Sequence, residues 1–343
     1  MRRGSLGREP DCLLSKRKSN MNANERATDI DTVAVFAPAT VANVASGFDV
    51  LGFALERPGD TVVLRKIPEK RVDILAVEGD DGKLPRDPNR NTASVAARRF
   101  LEAIDFPFGL EVTVRKQMPL SSGLGSSAAS SVAAVYAANL LAGSPFTVRQ
   151  LLPFTMEAEE VACGSAHADN VAPSLLGGFI LIRSYEPLDV VQLPVPAGLA
   201  VATVHPHTEI KTEDARRILK KELRLSDAVR QWGNLAALVA ALYQGDLDLL
   251  SRSLQDVVAE PRRGLLIPGF AKVKQAALDG GALGCSISGS GPSVFSLCRS
   301  MQSAREVGTA MKSAFAQVGL DSDVYLSGIN ESGPVVVDSE QGG

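Results

Sequence analysis

The residues with the clearest chemical meaning form a glycine- and serine-rich loop at 119–129, between a predicted strand and a predicted helix. Glycines let the backbone approach a ligand closely, and the N–H groups at a helix start attract anions. Ser126 and Ser127 add hydroxyl groups that can cap the helix, bind a phosphate oxygen or ligate Mg²⁺. The pattern therefore favours phosphate binding, through Pro119, Leu120, Ser121, Ser122, Gly123, Leu124, Gly125, Ser126, Ser127, Ala128 and Ala129.

The loop 119–129 also resembles other glycine-rich motifs. Residues 123–128 also match the G-x-G-x-x-A pattern of dinucleotide-binding folds, but Gly123 stands eight residues beyond Arg115 and no acidic residue occurs from 112 to 156. A Walker P-loop is excluded, because the loop contains no Gly-Lys-Ser or Gly-Lys-Thr. A loop that only packs an Ala-rich helix against a sheet stays open as an alternative.

Three more polar groups have residue types that suit a binding site. A second glycine cluster at 284–293 is either a tight turn or a ligand loop beside a domain cleft. Asn43 and Asp49 follow the first predicted strand, where an Asn and Asp turn is the simpler interpretation. His167 and Asn170 lie in the segment 164–170, and no Ser or Cys nucleophile can be paired with the histidine from sequence alone.

Charged side chains elsewhere could complete such a site. A predicted helix at 153–163 carries Glu157, Glu159 and Glu160, which normally form a solvated acidic face. One carboxylate directed at the phosphate loop would suffice for Mg²⁺, which needs only one or two protein oxygens when a nucleotide is bound. Arg216 and Arg263 are suited to bind a substrate carboxylate in a bidentate manner, through two parallel N–H groups. Each is equally compatible with a surface position.

The elements that must position these residues mix strands and helices, so the predicted fold class is α+β. Strands are predicted at 33–36, 61–67, 72–77, 110–114, 199–204, 293–297 and near Val324. Helices are predicted at 92–104, 126–141, 153–163, 212–223, 227–243, 246–258 and 304–318, with a kink or restart at Pro153. The predicted organisation is a disordered tail at 1–30, an amino-terminal domain at 31–194 and a carboxy-terminal domain at 195–335.

Composition limits the classes of protein that remain. The 343 residues are 45% hydrophobic and 22% charged, which is typical of a globular chain and excludes disordered, collagen-like and disulfide-scaffold proteins. A net charge of −3 gives no bulk positive field for nucleic acid or anionic lipid. Four separated cysteines and three histidines form no metal-binding pattern, and no apolar run is long enough for a membrane span. We therefore expect a cytoplasmic protein in which any anion-binding site is local.

Together, these motifs resemble the GHMP kinases, the family of galactokinase, homoserine kinase, mevalonate kinase and phosphomevalonate kinase. The loop 119–129 is similar to the family's ATP-binding signature, and 284–293 is similar to its carboxy-terminal glycine-rich motif. The stretches 42–52, 167–178 and 259–269 most resemble the members that phosphorylate homoserine. The likeness extends from about residue 33 to about residue 328.

The resemblance implies a two-domain GHMP kinase fold. Its amino-terminal domain would resemble domain 2 of ribosomal protein S5, its carboxy-terminal domain would be ferredoxin-like, and the active site would lie in the cleft between them. The implied activity is ATP- and Mg²⁺-dependent phosphorylation of the L-homoserine hydroxyl in threonine biosynthesis, by a cytoplasmic homodimer. A family kinase for a sugar or a mevalonate-like acid, and a nucleotide-binding homologue without turnover, are the alternatives.

The resemblance also assigns roles to residues. The triphosphate would lie against the loop 119–129, with Mg²⁺ held by Ser127 and Glu159, or by Glu160 if the helix register differs. Homoserine would be bound by Asn43, Asp49, His167, Asn170, Arg216 and Arg263, with Asp49 suited to the amino group and the arginines to the carboxylate. Asn170 takes the place of the aspartate that acts as base in mevalonate kinase, so no dedicated base is implied. Ser127, Glu159 and Asn170 would surround the reacting atoms.

Overall fold

The computed structural model describes residues 31–164 and 166–338 of the chain, so the predicted disordered tail at 1–30 lies outside the described residues. The strands are β1 (Thr32–Ala42), β2 (Leu51–Ile67), β3 (Val72–Glu78), β4 (Gly109–Arg115), β5 (Phe179–Tyr185), β6 (Leu188–Leu193), β7 (Ala200–Pro206), β8 (Gly284–Ile287), β9 (Val294–Cys298), β10 (Ser322–Gly328) and β11 (Val335–Val337). The helices are α1 (Thr92–Ala103), α2 (Ser126–Leu141), α3 (Leu152–Cys163), α4 (Ala168–Leu176), α5 (Thr212–Arg217), α6 (Leu225–Gln244), α7 (Leu247–Ser253), α8 (Glu260–Arg263), α9 (Phe270–Asp279) and α10 (Met301–Ala316).

The strands form two sheets. In the first, β11, β1, β2, β4 and β3 lie side by side in that order, and β5 pairs with both the start of β2 and β6. The pairing is antiparallel except between β3 and β4. The second sheet is antiparallel, in the order β10-β7-β9-β8.

The second sheet confirms the ferredoxin-like expectation for the carboxy-terminal part. Along the chain, β7 is followed by helices, then by β8, β9, α10 and β10, which is a β-α-β-β-α-β order. The helices α9 and α10 pack against each other, and α10 lies on β7, β9 and β10. The chain passes from the first sheet to the second between Leu193 and Ala200, and only β11 returns to the first sheet within the described residues. The domain boundary near residue 195 stays a prediction.

The helix α2 is central to the amino-terminal part. Ten of its first thirteen residues are Ala or Ser, and small side chains let neighbouring elements approach closely. It packs against β1 and β2 on one side and against α1, α3 and α4 on the others. Residues from Ala128 to Leu141 are therefore almost all buried, and the start of this helix is held firmly in the core.

Some helices are shorter than the sequence pattern predicts. The helix expected at 212–223 ends at Arg217, and the one expected at 246–258 ends at Ser253. In the second case the Asp256 carboxylate accepts the backbone N–H groups of Val258, Ala259 and Glu260, which turns the chain into α8. The sequence pattern did not indicate α4, α9, the β5–β6 hairpin or β11.

The interruption predicted at Pro153 is confirmed. A short 3-10 turn at Val148–Leu151 precedes α3, and Pro153 lies in the first turn of α3, where its missing N–H needs no helical partner. Within the described part of the chain, none of the helices has both the length and the apolar character required to span a bilayer.

Candidate active site

The phosphate loop leads directly into the first turn of α2. Gly123 and Gly125 have left-handed φ angles of 80° and 68°, which favour glycine, and Gly125 is the N-cap residue of the helix. Gly125 carries no side chain that could cap the helix, and Ser126, Ser127 and Ala128 of the first turn line a cavity. A helix start of this kind favours a bound anion.

The second glycine cluster supports this loop by direct contact. The Ser288 hydroxyl donates to the carbonyl oxygen of Gly123 at 2.8 Å, and the backbone N–H of Ser293 donates to the carbonyl oxygen of Ser122 at 3.2 Å. A Cβ on Gly123 would lie 2.5 Å from the carbonyl oxygen of Ser288. Glycine at 123 is thus required by the close approach of two backbones as well as by its φ angle.

Ser127 and Glu159 meet beside the helix start. The Ser127 hydroxyl donates to Glu159 Oε1 at 2.6 Å, and the Glu159 residue is only 4% exposed. Glu160, on the next position of α3, is exposed. A hydroxyl oxygen and a carboxylate oxygen placed together are ligands of the type that Mg²⁺ prefers. The geometry favours Glu159 over Glu160, while its role as a metal ligand stays a prediction.

A buried ion pair that the sequence analysis missed fixes the start of α2. The Lys116 ammonium donates to Asp60, to the Ser126 carbonyl oxygen at 2.9 Å and to the Ser130 hydroxyl at 2.9 Å. Asp60 in turn accepts the Ser126 hydroxyl at 2.9 Å and the Gln117 backbone N–H at 2.9 Å. Because both charges are buried and hydrogen-bonded, the first turn of α2 has one well-defined position.

The loop after β1 holds Asn43 and Asp49 in left-handed conformations, with φ angles of 57° and 58°. Asn and Asp tolerate this region better than other side chains. The Asn43 Oδ1 accepts the Asp49 backbone N–H at 2.7 Å, and its Nδ2 donates to the Gly289 carbonyl oxygen at 3.0 Å. Asn43 therefore joins this loop to the second glycine cluster.

Asp49 lies in an ion pair with Arg216 of α5. Both Asp49 oxygens accept N–H groups of Arg216 at 3.1 Å, and a further Arg216 N–H lies 3.1 Å from His167 Nδ1. Burial lowers the pKa of His167, and the charge of Arg216 lowers it further. The imidazole is therefore neutral at physiological pH, with Nδ1 as an acceptor.

Arg263 is buried at the same end of the cavity. It donates to the carbonyl oxygens of Ala215 at 3.2 Å and Gly289 at 2.9 Å, and its guanidinium lies over the ring of Phe48. Burial lowers the pKa of Arg263, yet an arginine remains charged at any physiological pH. A buried cation that lines a cavity is suited to bind an anionic ligand group.

Asn170 is the third residue of α4, and its side chain lies beside the phosphate loop. Its Oδ1 accepts the Thr40 hydroxyl at 2.9 Å. A Cβ on Gly125 would stand 2.1 Å from Thr40 Oγ1 and 2.9 Å from Asn170 Oδ1, so these two side chains fit only against glycine. Asn170 is thereby placed beside the helix start where the sequence analysis expected the reacting atoms.

Asp169, which the sequence analysis did not select, is buried in the wall of the cavity. Both of its carboxylate oxygens are shielded from solvent, and among the described residues only backbone amides, chiefly that of Asn43, lie close enough to stabilise their charge. Burial and the negative charge of Asp49 raise the pKa of Asp169 to about 7, against smaller opposing effects of the Asn43 backbone amide and Arg216. Its neighbours His167 and Asn170 were recognised in the sequence, but local sequence gives no sign that this carboxylate is buried.

Most of these groups line one cavity of about 430 Å³. The six residues predicted to bind substrate line it, as do Ser127, Glu159 and most of the loop 119–129. Leu124 and Ala129 instead pack in the core, and Pro119 is also outside the lining. Arg90, Asn91 and Thr92 line another part of the wall, next to Leu84 and Pro85.

The two ends of the cavity are suited to different ligand groups. At one end the start of α2, Ser127 and Glu159 can receive a phosphate chain and a hard cation. At the other end the wall carries both a carboxylate and guanidinium groups, from Asp49, Arg216 and Arg263, which suits a small zwitterion. Among the described residues, no cluster of three or more His, Cys, Asp or Glu side chains forms a metal site of the zinc type.

Comparison with known proteins agrees with this geometry. The model of the GHMP kinases N terminal domain matches residues 91–178, and that of the GHMP kinases C terminal domain matches residues 238–317. The chain is 54% identical to homoserine kinase of Chlorobaculum tepidum, over 89% of this chain and 98% of that protein. Homoserine kinase of Chlorobium phaeobacteroides is 52% identical, over 89% of this chain and 99% of that protein.

A solved structure extends the likeness to three dimensions. The crystal structure of homoserine kinase from Cytophaga hutchinsonii matches with a TM-score of 0.88 and 58% sequence identity, over 90% of this chain and 98% of that one. With both domain models matched and relatives aligned over nearly their whole length, the chain belongs to the GHMP kinase family, in its homoserine kinase branch.

Proposed function

We propose that this protein transfers the γ-phosphoryl group of ATP to the side-chain hydroxyl of L-homoserine, giving ADP and O-phospho-L-homoserine. The observation that carries the proposal is that one cavity contains both the Ser127–Glu159 oxygen pair at the start of α2 and the Asp49–Arg216 ion pair. A phosphate chain and a small amino acid can thus occupy neighbouring positions. Near full-length identity to homoserine kinases supports the same choice of substrate.

The nucleotide would place its phosphates against the glycine loop and the first turn of α2. The backbone N–H groups of the first helical turn have no acceptor within the helix, so they can donate to an anion. The segment of Arg90, Asn91 and Thr92 would lie beside the adenosine part, because it lines the remaining wall of the cavity. The Lys116–Asp60 pair would keep the helix start in place while the phosphates bind.

The residues present fit a magnesium ion. Ser127 and Glu159 supply two oxygens at 2.6 Å from each other, and a nucleotide-bound Mg²⁺ takes its remaining ligands from phosphate and water. When bound, the ion would neutralise charge on the transferring phosphoryl group. Glu159 would hold its carboxylate ready for this role, because burial on α3 and the Ser127 hydroxyl fix its orientation.

The substrate amino acid would occupy the charged end of the cavity. Arg216 and Arg263 would bind its carboxylate, and the carboxylates of that end would bind its ammonium group. Asn43 and His167 would keep Asp49 and Arg216 in position through the hydrogen bonds already formed. The hydroxyl group would then point towards Asn170 and the start of α2.

The reaction would depend mainly on positioning. The homoserine oxygen attacks the γ-phosphorus in line, the bond to the ADP oxygen breaks, and the hydroxyl proton leaves to a phosphate oxygen or to water. Asn170 cannot take this proton at neutral pH, so its role would be to orient the reacting groups. Participation in threonine biosynthesis, assembly as a homodimer and a cytoplasmic location remain predictions.

A coupled ADP-release assay tests the function. The purified chain with ATP and Mg²⁺ should release ADP with L-homoserine and not with mevalonate, galactose or shikimate, and phosphorus NMR should identify O-phosphohomoserine as product. Release with another of these alcohols, or none with homoserine, would contradict the proposal. Binding of ATP without turnover of any of them would favour a non-catalytic homologue.

A further inference from the structure

His205 and Ser293 lie opposite each other at one end of the pairing between β7 and β9. The pairing ends there with Val204 and Val294, so the antiparallel register places His205 across from Ser293. The two side chains meet, because His205 Nδ1 lies 3.1 Å from the Ser293 hydroxyl oxygen. Both residues are buried, with exposures of 5% for His205 and 0% for Ser293. The sequence analysis assigned His205 no role.

The alternation of side chains along the strands directs this pair towards the first sheet. On β7, Val204 packs in the core that α9 and α10 cover, whereas Val201 packs in the core of the first sheet. His205 is four residues after Val201 and therefore shares its face. On β9, Phe295 also packs in the core of the first sheet, and Ser293 shares its face. The pair thus lies on the side of the second sheet that contacts the rest of the protein.

Ser293 connects the pair to the phosphate loop. Its backbone N–H donates to the Ser122 carbonyl oxygen at 3.2 Å, and its carbonyl oxygen accepts the Ser288 N–H at 2.9 Å. Ser288 in turn donates its hydroxyl to the Gly123 carbonyl oxygen at 2.8 Å. The hydroxyl of Ser293 is bonded to His205. All three polar groups of Ser293 are therefore engaged, and they join the histidine to two carbonyl groups of the loop.

The contact between Ser293 and Ser122 also directs a backbone N–H group. In a trans peptide the carbonyl oxygen and the N–H point in opposite directions, so binding the Ser122 carbonyl turns the Gly123 N–H away from Ser293. This N–H is not a donor in the backbone hydrogen bonds of the described residues, and Gly123 lines the cavity. The Ser293 contact therefore leaves an N–H of the loop available to an anionic ligand.

The His205 ring is neutral when it bonds Ser293. Burial lowers the pKa of His205, and the charge of His207 lowers it further against a smaller opposing effect of Asp323. A neutral imidazole has one ring nitrogen that donates and one that accepts, so it can bond the Ser293 hydroxyl in either tautomer. Without the ring, this hydroxyl would be a buried polar group that has lost its partner, which is unfavourable. The contact therefore holds Ser293 in one orientation.

We infer that His205 is a positioning residue for nucleotide binding, which acts through Ser293 on the carbonyl groups of Ser122 and Gly123 and so fixes the loop that receives the phosphates. The inference rests on the proposed function in one respect, since it takes the phosphates to bind at this loop. His205 does not line the cavity, so it would touch neither ATP nor homoserine. Its effect would pass entirely through the second glycine cluster.

The amino-acid end of the cavity should depend less on His205. The Gly289 carbonyl oxygen accepts N–H groups of Asn43 and Arg263, both of which line that end. Gly289 is held separately, because its own N–H donates to the Ala42 carbonyl oxygen at 3.0 Å. Loss of the His205 contact should therefore weaken nucleotide binding more than homoserine binding.

Three substitutions of histidine test this assignment. His205→Leu removes both ring nitrogens, whereas His205→Asn keeps an amide near the position of Nδ1 that can donate to Ser293 or accept from it. His207→Leu is the matched control, because His207 is an exposed histidine just after β7 that is bonded to Asp323. The measurements are KM for ATP, KM for homoserine and Kd for a non-hydrolysable ATP analogue.

The expected pattern separates positioning from a general loss of structure. His205→Leu should raise KM for ATP and Kd for the analogue by about fivefold, the effect of one lost hydrogen bond, and leave KM for homoserine within about twofold. His205→Asn and His207→Leu should keep all three values within about twofold of the native ones. Equal rises in both KM values, or a His205→Asn chain as impaired as His205→Leu, would overturn the inference.

A double-mutant cycle tests whether His205 acts through Ser293. Ser293→Ala removes the hydroxyl but keeps the backbone N–H that binds Ser122, so it should also raise Kd for the analogue by about fivefold. Adding His205→Leu should then cause little further loss, because the partner of the ring is already absent. An unchanged Kd in Ser293→Ala, or losses that multiply in the double variant, would overturn the inference.

The failure of the inference and that of the proposed function have different signatures. If the native chain binds the ATP analogue but releases no ADP with homoserine, the proposed function fails, and the Kd values still decide the role of His205. If homoserine is phosphorylated but His205→Leu binds the analogue like the native chain, only the assignment of His205 fails. Urea unfolding verifies that each variant is folded, and Ser293→Ala gives the same comparison with the native chain if His205→Leu does not fold.

Discussion

Arg216 holds both carboxylate oxygens of Asp49 at 3.1 Å, although the two residues are 167 positions apart in the chain. The ion pair joins α5 to the loop after β1 and so links the parts of the chain that carry the two sheets. Both side chains remain partly accessible, at 39% and 32%. The pair is therefore formed by the protein's own residues and is accessible to a ligand.

Arg216→Lys is expected to weaken homoserine binding. A lysine keeps the charge but cannot bind a carboxylate with two parallel N–H groups, so KM for homoserine should rise by about tenfold or more with a smaller effect on kcat. Arg217→Lys is the matched control, because Arg217 is exposed and pairs with Asp214. Equal KM values in the two variants would remove Arg216 from the substrate site.

Glu159→Gln is expected to impair magnesium use. The change keeps shape but removes the charge of the buried oxygen beside Ser127, so kcat should fall by about a hundredfold, with a higher Mg²⁺ concentration needed for half-maximal rate. Glu160→Gln, at the exposed neighbouring position, should behave like the native chain. The opposite ranking of the two variants in a Mg²⁺ titration would show that the register of α3 is misassigned.

Gly123→Ala is expected to disrupt the phosphate loop. Its Cβ would lie 2.5 Å from the Ser288 carbonyl oxygen, so the two loops must separate. Gly143 has the same φ of 80°, but no atom lies within 4 Å of a Cβ added there. Gly143→Ala should therefore lower the free energy of unfolding only by the cost of a left-handed alanine, about 1 kcal/mol. Gly123→Ala should lose about 2 kcal/mol more in denaturant unfolding, together with ATP affinity. Equal losses of unfolding free energy in the two variants would contradict the close contact between the Gly123 and Ser288 backbones.

Asn170→Ala is expected to reduce kcat by about tenfold or more, because the contact with Thr40 that orients the site beside α2 is lost. Asn170→Asp introduces a group that can accept a proton, and its kcat should then rise with pH where the native chain shows no such step. A kcat for Asn170→Ala equal to the native value would contradict the placement of Asn170 at the reacting atoms.

The raised pKa of Asp169 predicts a pH-dependent stability in the absence of ligand. Its folded-state pKa of about 7 lies above the ordinary value of 3.8, so its contribution to stability is complete below the ordinary pKa and is lost as pH rises towards 7. Between about pH 5 and about pH 8, the free energy of unfolding of the native chain should fall by about 3 kcal/mol relative to Asp169→Asn.

Denaturant unfolding of both chains at the two pH values measures this difference. A constant gap between the native chain and Asp169→Asn at both pH values would show that Asp169 titrates normally.

Much of the fold was predictable because it follows from local patterns. The β-rich runs, the Ala/Ser-rich helix at 126–141 and the restart at Pro153 all appear in the structure, since they depend on short-range backbone preference and side-chain size. The elements that were missed, such as α4 and the β5–β6 hairpin, are short, and their patterns are ambiguous without their tertiary partners. The helix predicted at 246–258 ends early because the Asp256 carboxylate accepts backbone N–H groups that would otherwise continue the helix.

The sequence by itself determined which residue types could bind phosphate and an amino acid, because glycine at a helix start and paired arginines have the same chemistry in any fold. Only the tertiary structure decided which of them act together. It buried Glu159 against Ser127 and exposed Glu160, it joined Arg216 to Asp49, and it buried Asp169 in the wall of the cavity. Distances between residues far apart in the chain set these outcomes, and packing fixes those distances once both sheets have formed.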